Sequence, residues 1–382
     1  MNLKAKQFID TWIGIPLVYS NMILAKLLGF ILRRNHQLKD TPTEICIIKL
    51  LGFGSVIMAS DALYSIRLKY PNAKLSIICS RSIHAGIESI QLFDHIYVID
   101  DGSFFRVLTS GIKTVFQLWR VKCLWILDLE VYSKLTSILS LWTMAQNRFG
   151  FYFNDVAFRY NLNTHNIYFN TTIQVEENYN RMVNALGVES FQAFTIPGFP
   201  PRKNQAGLDQ IAINNTCSEL AMERKLRDGQ LIDLCKAILN ETNYQIVLLG
   251  APSDQKNLDE FIAYSGLPSE RMFHIAGRYE LRDYYEYLYR HCALMITIDS
   301  APLHIANKLN IPNLSIWGPT APESRIDTQS GNEYLYLKVS CSPCAHFVDK
   351  LPCGGNNFCI QDMTTQMIMQ KVKTMLTKQT TN

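Results

Sequence analysis

Residues 293–325, ALMITIDSAPLHIANKLNIPNLSIWGPTAPESR, read as one compact βαβ unit. The apolar run Ala293–Ile298 has the length and turn-flanked setting of a buried parallel strand. Asp299 and Ser300 follow at once. Ser300 is a natural helix N-cap, and Pro302 is tolerated in a first helical turn. The helix runs to Leu309, Asn310 and Pro312 end it, and Asn313–Trp317 is a second strand closed by Gly318-Pro319-Thr320. Parallel sheets gather ligands at the carboxyl ends of their strands. Those ends carry Asp299-Ser300 and Gly318-Pro319-Thr320. The free N–H groups and positive dipole end of the intervening helix point at the same crevice, which suits an anion. His304, one turn into the helix, adds a donor, and Gly318 leaves room for a phosphate. An ordinary βαβ whose Asp and Ser only cap a helix has the same pattern.

The wording of the stretch is more specific. D-S-A-P-L-H-I-A-N followed by I-P-N-L-S-I-W-G-P-T resembles the C-terminal signature of glycosyltransferase family 9, the heptosyltransferase-like family, with Ala301 for the usual Gly and Trp317 for the usual Phe. The resemblance implies an α/β fold of two Rossmann-like domains facing a central cleft (GT-B). It also implies a nucleotide-sugar donor, typically ADP-heptose, held by Asp299, Ser300, His304, Gly318, Pro319 and Thr320.

The length suits two or three domains, and 48% hydrophobic residues supply large cores. The net charge of +4 is localised. Residues 1–40 hold Lys4, Lys6, Lys26, Arg33, Arg34 and Lys39 against Asp10 and Asp40, so the remainder is neutral. That argues against a nucleic-acid surface. The same segment contains WIGIPLVYSNMILAKLLGFIL, Trp12–Leu32, with Lys26 as its only charge and no small-residue cleavage site. It is barely long enough to span a bilayer, and basic residues flank both ends. We read residues 1–36 as a membrane-surface contact: a helical, monotopic anchor, broken at Pro16, on the cytoplasmic face of a bacterial inner membrane. A helix packed on the protein's own core and a true spanning helix are the other readings.

Glu44–Lys49 reads as a strand, Leu50–Ser55 as a glycine-bearing turn, Val56–Lys69 as a helix and Lys74–Cys79 as the next strand. Gly52 and Gly54 supply two glycines of G-x-G-x-x-G, but Ile57 replaces the third, and Ser80-Arg81 offers no acid for a ribose. The opening is instead similar to the family 9 N-terminus, whose helix ends in the pattern matched by Tyr70-Pro71-Asn72-Ala73. The acid that the family carries after the glycine, proposed there as catalytic base, is Ser55 in this chain. Leu124–Leu127 reads as a strand followed by Asp128-Leu129-Glu130, then Tyr132-Ser133-Lys134 and a helix. The family places this D-L-E position near the acceptor, so Gly52, Gly54, Ser55, Ser133 and Lys134 are acceptor-side candidates. A replacement base must be a carboxylate near a strand's carboxyl end or a helix start. Glu130 fits first and Asp61, almost two helical turns past Ser55, second; Asp128 suits a structural role. A plain helix-start acid is the competing reading of Glu130. The stretch between Phe151 and Glu176, with Arg159 and His165, reads as irregular and as a candidate lining of an acceptor groove.

Pro197–Asn204 is rich in Pro and Gly and marks a domain boundary. The expected domains are 1–40 (membrane-associating helix), 41–196 (acceptor domain), 205–362 (nucleotide-sugar domain) and 363–382 (helix and tail). In the second half, Asn214-Asn215-Thr216 and Glu223-Arg224-Lys225 are similar to the family's first C-domain loop, where a hydroxyl and a basic side chain meet the diphosphate. Thr216, Arg224 and Lys225 are therefore donor candidates, although exposed charges before a helix read the same way. The resemblance puts the nucleotide base near Gly277. Of ten cysteines, six are single residues in apolar contexts, and the sequence has no export signal, so a reducing compartment is expected. Cys341, Cys344, Cys353 and Cys359, with His346 between, fit either a structural zinc site or packed thiols. Catalysis in the family's manner needs no metal and no other cofactor.

These readings describe an inverting glycosyltransferase that takes a sugar from a nucleotide diphosphate to a lipid-linked or lipopolysaccharide-type glycan. An inert nucleotide-sugar-binding scaffold, motivated by Ser55, is one alternative. A dinucleotide oxidoreductase, motivated by Gly52 and Gly54, is another.

Overall fold

The computed structural model describes residues 12–33, 35–202, 207–217, 219–326, 332–345, 348, 351 and 353–380. Lys4, Lys6, Asp10, Arg34, Lys203, Asn204 and His346 lie outside the described residues. The chain divides into two compact units, Met1–Phe194 and Thr195–Asn382.

The first unit holds β1 (Glu44–Ile48), β2 (Lys74–Ser80), β3 (His95–Ile99), β4 (Leu124–Asp128), β5 (Asn147–Tyr152) and β6 (His165–Tyr168). They form one sheet in the order β3-β2-β1-β4-β5-β6, every neighbouring pair parallel. This is the order of the nucleotide-binding Rossmann fold, which reverses direction between β1 and β4. β1 and β4 are apolar throughout apart from their ends and wholly buried, as central strands covered on both faces must be.

The unit's helices are α1 (Gly14–Leu32), α2 (Phe53–Lys69), α3 (Arg81–Ile90), α4 (Phe104–Leu118), α5 (Lys134–Trp142) and α6 (Val175–Asn184). α1 is not broken at Pro16: the proline lies in its first turn, where an amide hydrogen has no intrahelical acceptor to lose. The stretch expected to be irregular carries a 3₁₀ helix, Asn154–Asn161, and the edge strand β6.

The second unit repeats the plan with β7 (Gln210–Asn214), β8 (Gln245–Leu248), β9 (Met272–His274), β10 (Cys292–Ile298), β11 (Asn313–Trp317) and β12 (Glu333–Tyr336). Their order, β12-β11-β10-β7-β8-β9, is the same arrangement, again fully parallel. The helices are α7 (Asp228–Glu241), α8 (Gln255–Ser265), α9 (Leu281–His291), α10 (Ala301–Lys308), α11 (Phe358–Gln361) and α12 (Thr365–Thr380). The core between sheet and helices takes in Ile211, Leu234, Ile246, Leu294, Ile316, Ile360 and Val372, so the C-terminal helices belong to this unit's own core.

Candidate functional site

Asp299 directly follows β10 and is almost wholly buried. Its Oδ2 accepts the Thr320 hydroxyl at 2.8 Å, from the turn after the neighbouring strand β11. Nη1 of Arg224 lies 3.3 Å from the same oxygen and donates to the Asp299 carbonyl at 2.8 Å. Arg325 Nη1 stands 3.8 Å from that carboxylate. Burial alone would raise the Asp299 pKa, but Arg224, then Arg325, His304 and Thr320, outweigh it and hold the group below the ordinary carboxylate range. The carboxylate is thus the fixed centre that aims two guanidiniums. Nε of Arg224 is buried without a hydrogen-bond partner among the described residues.

His304 is buried in α10. Burial pushes its pKa down to about 4, against the pull of Asp299, so the imidazole is neutral near pH 7. It can share a proton with an anion but brings no positive charge.

Ser300 stands at the N-cap position of α10 without capping it. Its hydroxyl accepts from Asn214 Nδ2 at 2.7 Å. The same amide lies 3.2 Å from Thr297 Oγ1, and Asn214 Oδ1 accepts the Thr216 hydroxyl at 3.1 Å. Asn214 therefore joins the loops after β7 and β10. Thr216 and Lys225 line a cavity of about 380 Å³ together with Asp254, Asn257 and Tyr264; Asp299, His304 and Thr320 do not line it. Gly277 follows β9 and faces Pro252 and Gln255 in the segment after β8.

Glycine at 318 is required by the packing of the unit's own C-terminal segment. A Cβ there would lie 2.7 Å from Ile360 Cδ1 and 2.9 Å from Cys359 Sγ, so glycine lets α11 pack directly on the turn. Ser342 Oγ donates to the Gly318 carbonyl, and the N–H groups of Cys344 and Ala345 donate to the Pro319 carbonyl at 3.0 and 2.8 Å. The cysteine-bearing segment thus buttresses the Gly-Pro-Thr turn. Cys344 and Cys359 are buried, and burial pushes the Cys359 thiol up to about 11, with Cys344, Cys341 and Cys353 adding to the rise. Among the described residues no three His, Cys, Asp or Glu side chains converge to hold a metal.

In the first unit, Glu130 follows β4 and reaches across to β1. Its Oε2 is 2.9 Å from Lys49 Nζ, and its Oε1 accepts the N–H groups of Leu50 and Leu51, both at 2.9 Å. The Glu130 side chain is 14% exposed and that of Lys49 9%. The turn then bends at Gly52, whose φ of 81° favours glycine, and Gly54 and Ser55 open α2. Asp128 and Arg159 form a fully buried ion pair. Burial raises the Asp128 pKa to about 6 although Arg159 works against it. Arg159 also donates to the carbonyls of Glu130 and Val131, which locks the loop that carries Glu130.

The other candidates in this unit are tied to structure. Asp61 Oδ1 accepts the Phe194 N–H at 2.6 Å. The Ser133 hydroxyl caps α5 by accepting the Thr136 N–H at 3.3 Å. The stem of Lys134 lies against Gly14 of α1, and its Nζ sits 5.5 Å from the Phe158 ring centre. Three residues of these clusters carried no role in the sequence reading: Arg325, Asn214 and Lys49. Arg325 closes the signature stretch itself. The others show their roles only through partners far along the chain.

The description "Glycosyltransferase family 9 (heptosyltransferase)" matches residues 213–353. The chain is 21% identical over 356 residues to lipopolysaccharide heptosyltransferase 1 of Campylobacter coli, covering 86% of this chain and 98% of that protein. The structure resembles that of the E. coli ADP-heptose lipopolysaccharide heptosyltransferase II with a TM-score of 0.63 and 16% identity, over 88% of this chain and 99% of that one. It resembles E. coli heptosyltransferase WaaC with ADP-2-deoxy-2-fluoro heptose with a TM-score of 0.64 and 11% identity, over 87% and 99%. These structural likenesses carry the fold across 87–88% of the chain, and the family match falls on the stretch that holds Asn214, Arg224, Asp299 and Thr320. The chain is similar to the glycosyltransferase family 9 heptosyltransferases, by the family match over residues 213–353 and by its α/β GT-B-like fold.

Proposed function

We propose that the protein moves a heptose, with inversion and without metal assistance, from ADP-heptose to a lipid-linked or lipopolysaccharide-type glycan at the cytoplasmic face of a bacterial inner membrane. The observation that carries this reading is the buried Asp299 with Thr320, Arg224 and Arg325 gathered on it at the ends of β10 and β11. A departing nucleoside diphosphate needs charge stabilisation, and oriented guanidiniums supply it without reorganisation at the moment of reaction. Neutral His304 and the N-terminus of α10 add hydrogen-bond donors for the same oxygens. The names of the relatives supply the sugar and nucleotide.

In this reading the second unit holds the donor, through Thr216, Arg224, Lys225, the Gly277 loop, Asp299, Ser300, His304 and the Gly318-Pro319-Thr320 turn. The first unit receives the acceptor beside the Gly52–Ser55 turn. An acceptor hydroxyl oxygen attacks the anomeric carbon, the bond from that carbon to the diphosphate oxygen breaks, and Glu130 takes the hydroxyl proton. Glu130 is the choice over Asp61 and Asp128 because it stands beside the turn that follows β1, at the carboxyl ends of β1 and β4, whereas Asp61 lies within α2 and Asp128 is sealed against Arg159. α1 would lie along the membrane rather than cross it, since its Gly14, Val18 and Asn21 face packs on the unit's own helices.

The test is a comparison of ADP-heptose with UDP- and GDP-sugars by thermal shift and by turnover on acceptor extracted from membranes. Stabilisation and transfer specific to ADP-heptose, with inverted anomeric configuration by NMR, are expected. Stabilisation by NADPH or by a UDP-sugar alone would overturn the assignment.

A further inference from the structure

The surface of the first unit carries a second apolar element besides α1. On α4 and the residue after its last turn, Phe104, Phe105, Leu108, Ile112, Phe116 and Trp119 are all exposed, Phe105 by 71%. At 3.6 residues per turn Phe105, Leu108, Ile112, Phe116 and Trp119 fall within an arc of roughly 80°, with Phe104 at the helix start about 40° outside it. Thr114, Val115 and Leu118 face the core instead. Arg106, Lys113 and Arg120 border the stripe on its far side, and the sequence from 102 to 127 contains four cations and no acid. An exposed apolar patch this continuous marks a contact surface.

The stripe is continuous with α1. Trp119 Nε1 donates to the Trp142 carbonyl at 2.7 Å, and Trp142 Nε1 donates to Asn21 Oδ1 of α1 at 2.7 Å. Val18 of α1 packs with Ile138, Leu141 and Leu162, with Met22, Ala25 and Trp142 at the margin. The rest of α1 exposes Tyr19, Ile23, Leu27, Phe30 and Ile31. Its own charges, Lys26 and Arg33, are also basic. Two neighbouring elements therefore expose large apolar and aromatic side chains beside Lys113, Arg120, Lys26 and Arg33, while Arg106 stands 3.9 Å from Asp100 at the start of α4.

We propose that α4 is a second lipid-contacting helix and that α1 and α4 together seat the first unit on an anionic phospholipid bilayer. The apolar stripe enters the headgroup–acyl boundary, Trp119 sits at headgroup depth, and Lys113 and Arg120 meet lipid phosphates. Two contacts of this kind hold a protein where one is marginal, and they fix which face of the unit looks at the membrane. This rests on the reading that the protein works at a membrane surface through α1.

The experiment floats full-length protein with vesicles of phosphatidylethanolamine and phosphatidylglycerol, and with phosphatidylcholine vesicles alone. We expect the wild type to float with the anionic vesicles. Phe105→Ser with Phe116→Ser, at exposed sites, should leave the melting temperature unchanged and lower the partition at least tenfold. Lys113→Gln with Arg120→Gln should lower binding to anionic vesicles by roughly tenfold or more while binding to neutral vesicles stays the same. Ile23→Asp with Phe30→Asp tests α1 separately. If the wild type does not float, the membrane reading fails and this proposal with it. If the α1 variant loses binding and both α4 variants keep it in full, the role of α4 alone is overturned. If the Phe105 and Phe116 changes abolish self-association without lipid and leave flotation intact, the stripe binds a second copy and the proposal is wrong.

Discussion

Lys49 and Glu130 meet at 2.9 Å across the carboxyl ends of β1 and β4, the two strands between which the first sheet reverses direction. The other Glu130 oxygen takes two backbone amides of the turn that follows β1. One carboxylate thus organises the glycine turn and, in the proposed reaction, accepts a proton on the oxygen that faces Lys49. Glu130→Gln keeps the shape but removes the base and leaves Lys49 without its counter-charge. We expect turnover to fall by ~10²–10⁴-fold with donor affinity unchanged. Breaking a largely buried ion pair should also lower stability by about 3–5 kcal/mol. Near-full turnover in Glu130→Gln together with loss in Asp61→Asn would mean that the wrong carboxylate was chosen. Retention in both would put the base elsewhere or on the acceptor.

Arg224 and Arg325 owe their positions to Asp299. Each should contribute a charge-assisted contact to the diphosphate, so Arg224→Gln and Arg325→Gln should each weaken ADP binding by about 1.5–3 kcal/mol. Thr320→Val removes the hydroxyl that satisfies Asp299 Oδ2 and should weaken ADP binding through misplaced arginines. Calorimetric titration of the three variants checks this. Unchanged affinity in all three would remove the site from the second unit's β10–β11 edge.

Much of this was legible in the chain. Residues 293–325 announce a βαβ because their strands are short, apolar and bracketed by Asp, Ser, Asn, Pro and Gly. Two of the four edge strands, β6 and β12, were not legible: HNIY and EYLY are four residues each, half-buried, and carry little alternation. α4 was hidden for a physical reason. FFRVLTSGIKTVFQL is poor in strong helix formers, and its apolar arc covers both the core-facing side and the outer stripe. In the site, motif residues that lie close in sequence were readable. Pairings across 81 residues, as for Lys49 and Glu130, were not. The packing role of Gly318 was not legible because Ile360, which fills the space beside it, lies on another element.

That contact makes its own prediction. Gly318→Ala forces a methyl group into Ile360 and Cys359 and should cost about 1–3 kcal/mol of stability. Ile360→Ala should cost about 2–5 kcal/mol alone, yet relieve the clash, so the double variant should be more stable than the sum of the single changes predicts. Strict additivity in denaturant unfolding would show that the contact is not made.

α1 is part of the first unit's packing as well as a candidate for lipid contact. Deleting residues 1–33 uncovers Ile138, Leu141 and Leu162 and takes the Asn21 acceptor from Trp142. The lost burial of Val18 and Met22 is on the order of 2–4 kcal/mol. The truncated protein should melt several degrees lower and bind a hydrophobic dye, rather than simply become more soluble. An unchanged melting temperature would mean that α1 is only loosely laid on the unit. For the full-length protein, release from membranes by alkaline carbonate is expected, and resistance would favour a spanning helix.

His304 gives stability a pH dependence whose sign follows from its burial. Its pKa is about 4 in the folded protein against an ordinary 6.5. Between those values the unfolded chain binds a proton that the folded one refuses, so stability rises with pH through this window and is complete above 6.5. Going from pH 7.5 to 4.5 should therefore remove about 2–3 kcal/mol through this residue alone. Asp128 acts in the opposite sense: its pKa of about 6, against 3.8, makes the folded state the better proton binder there, which partly masks the histidine in the wild type. The clean measurement is the difference between wild type and His304→Gln. That difference should shift in favour of the variant by about 2–3 kcal/mol as pH falls from 7.5 to 4.5, because glutamine cannot charge. A difference independent of pH would show that His304 is protonated with equal ease in both states, and would restore it as a cation for the diphosphate.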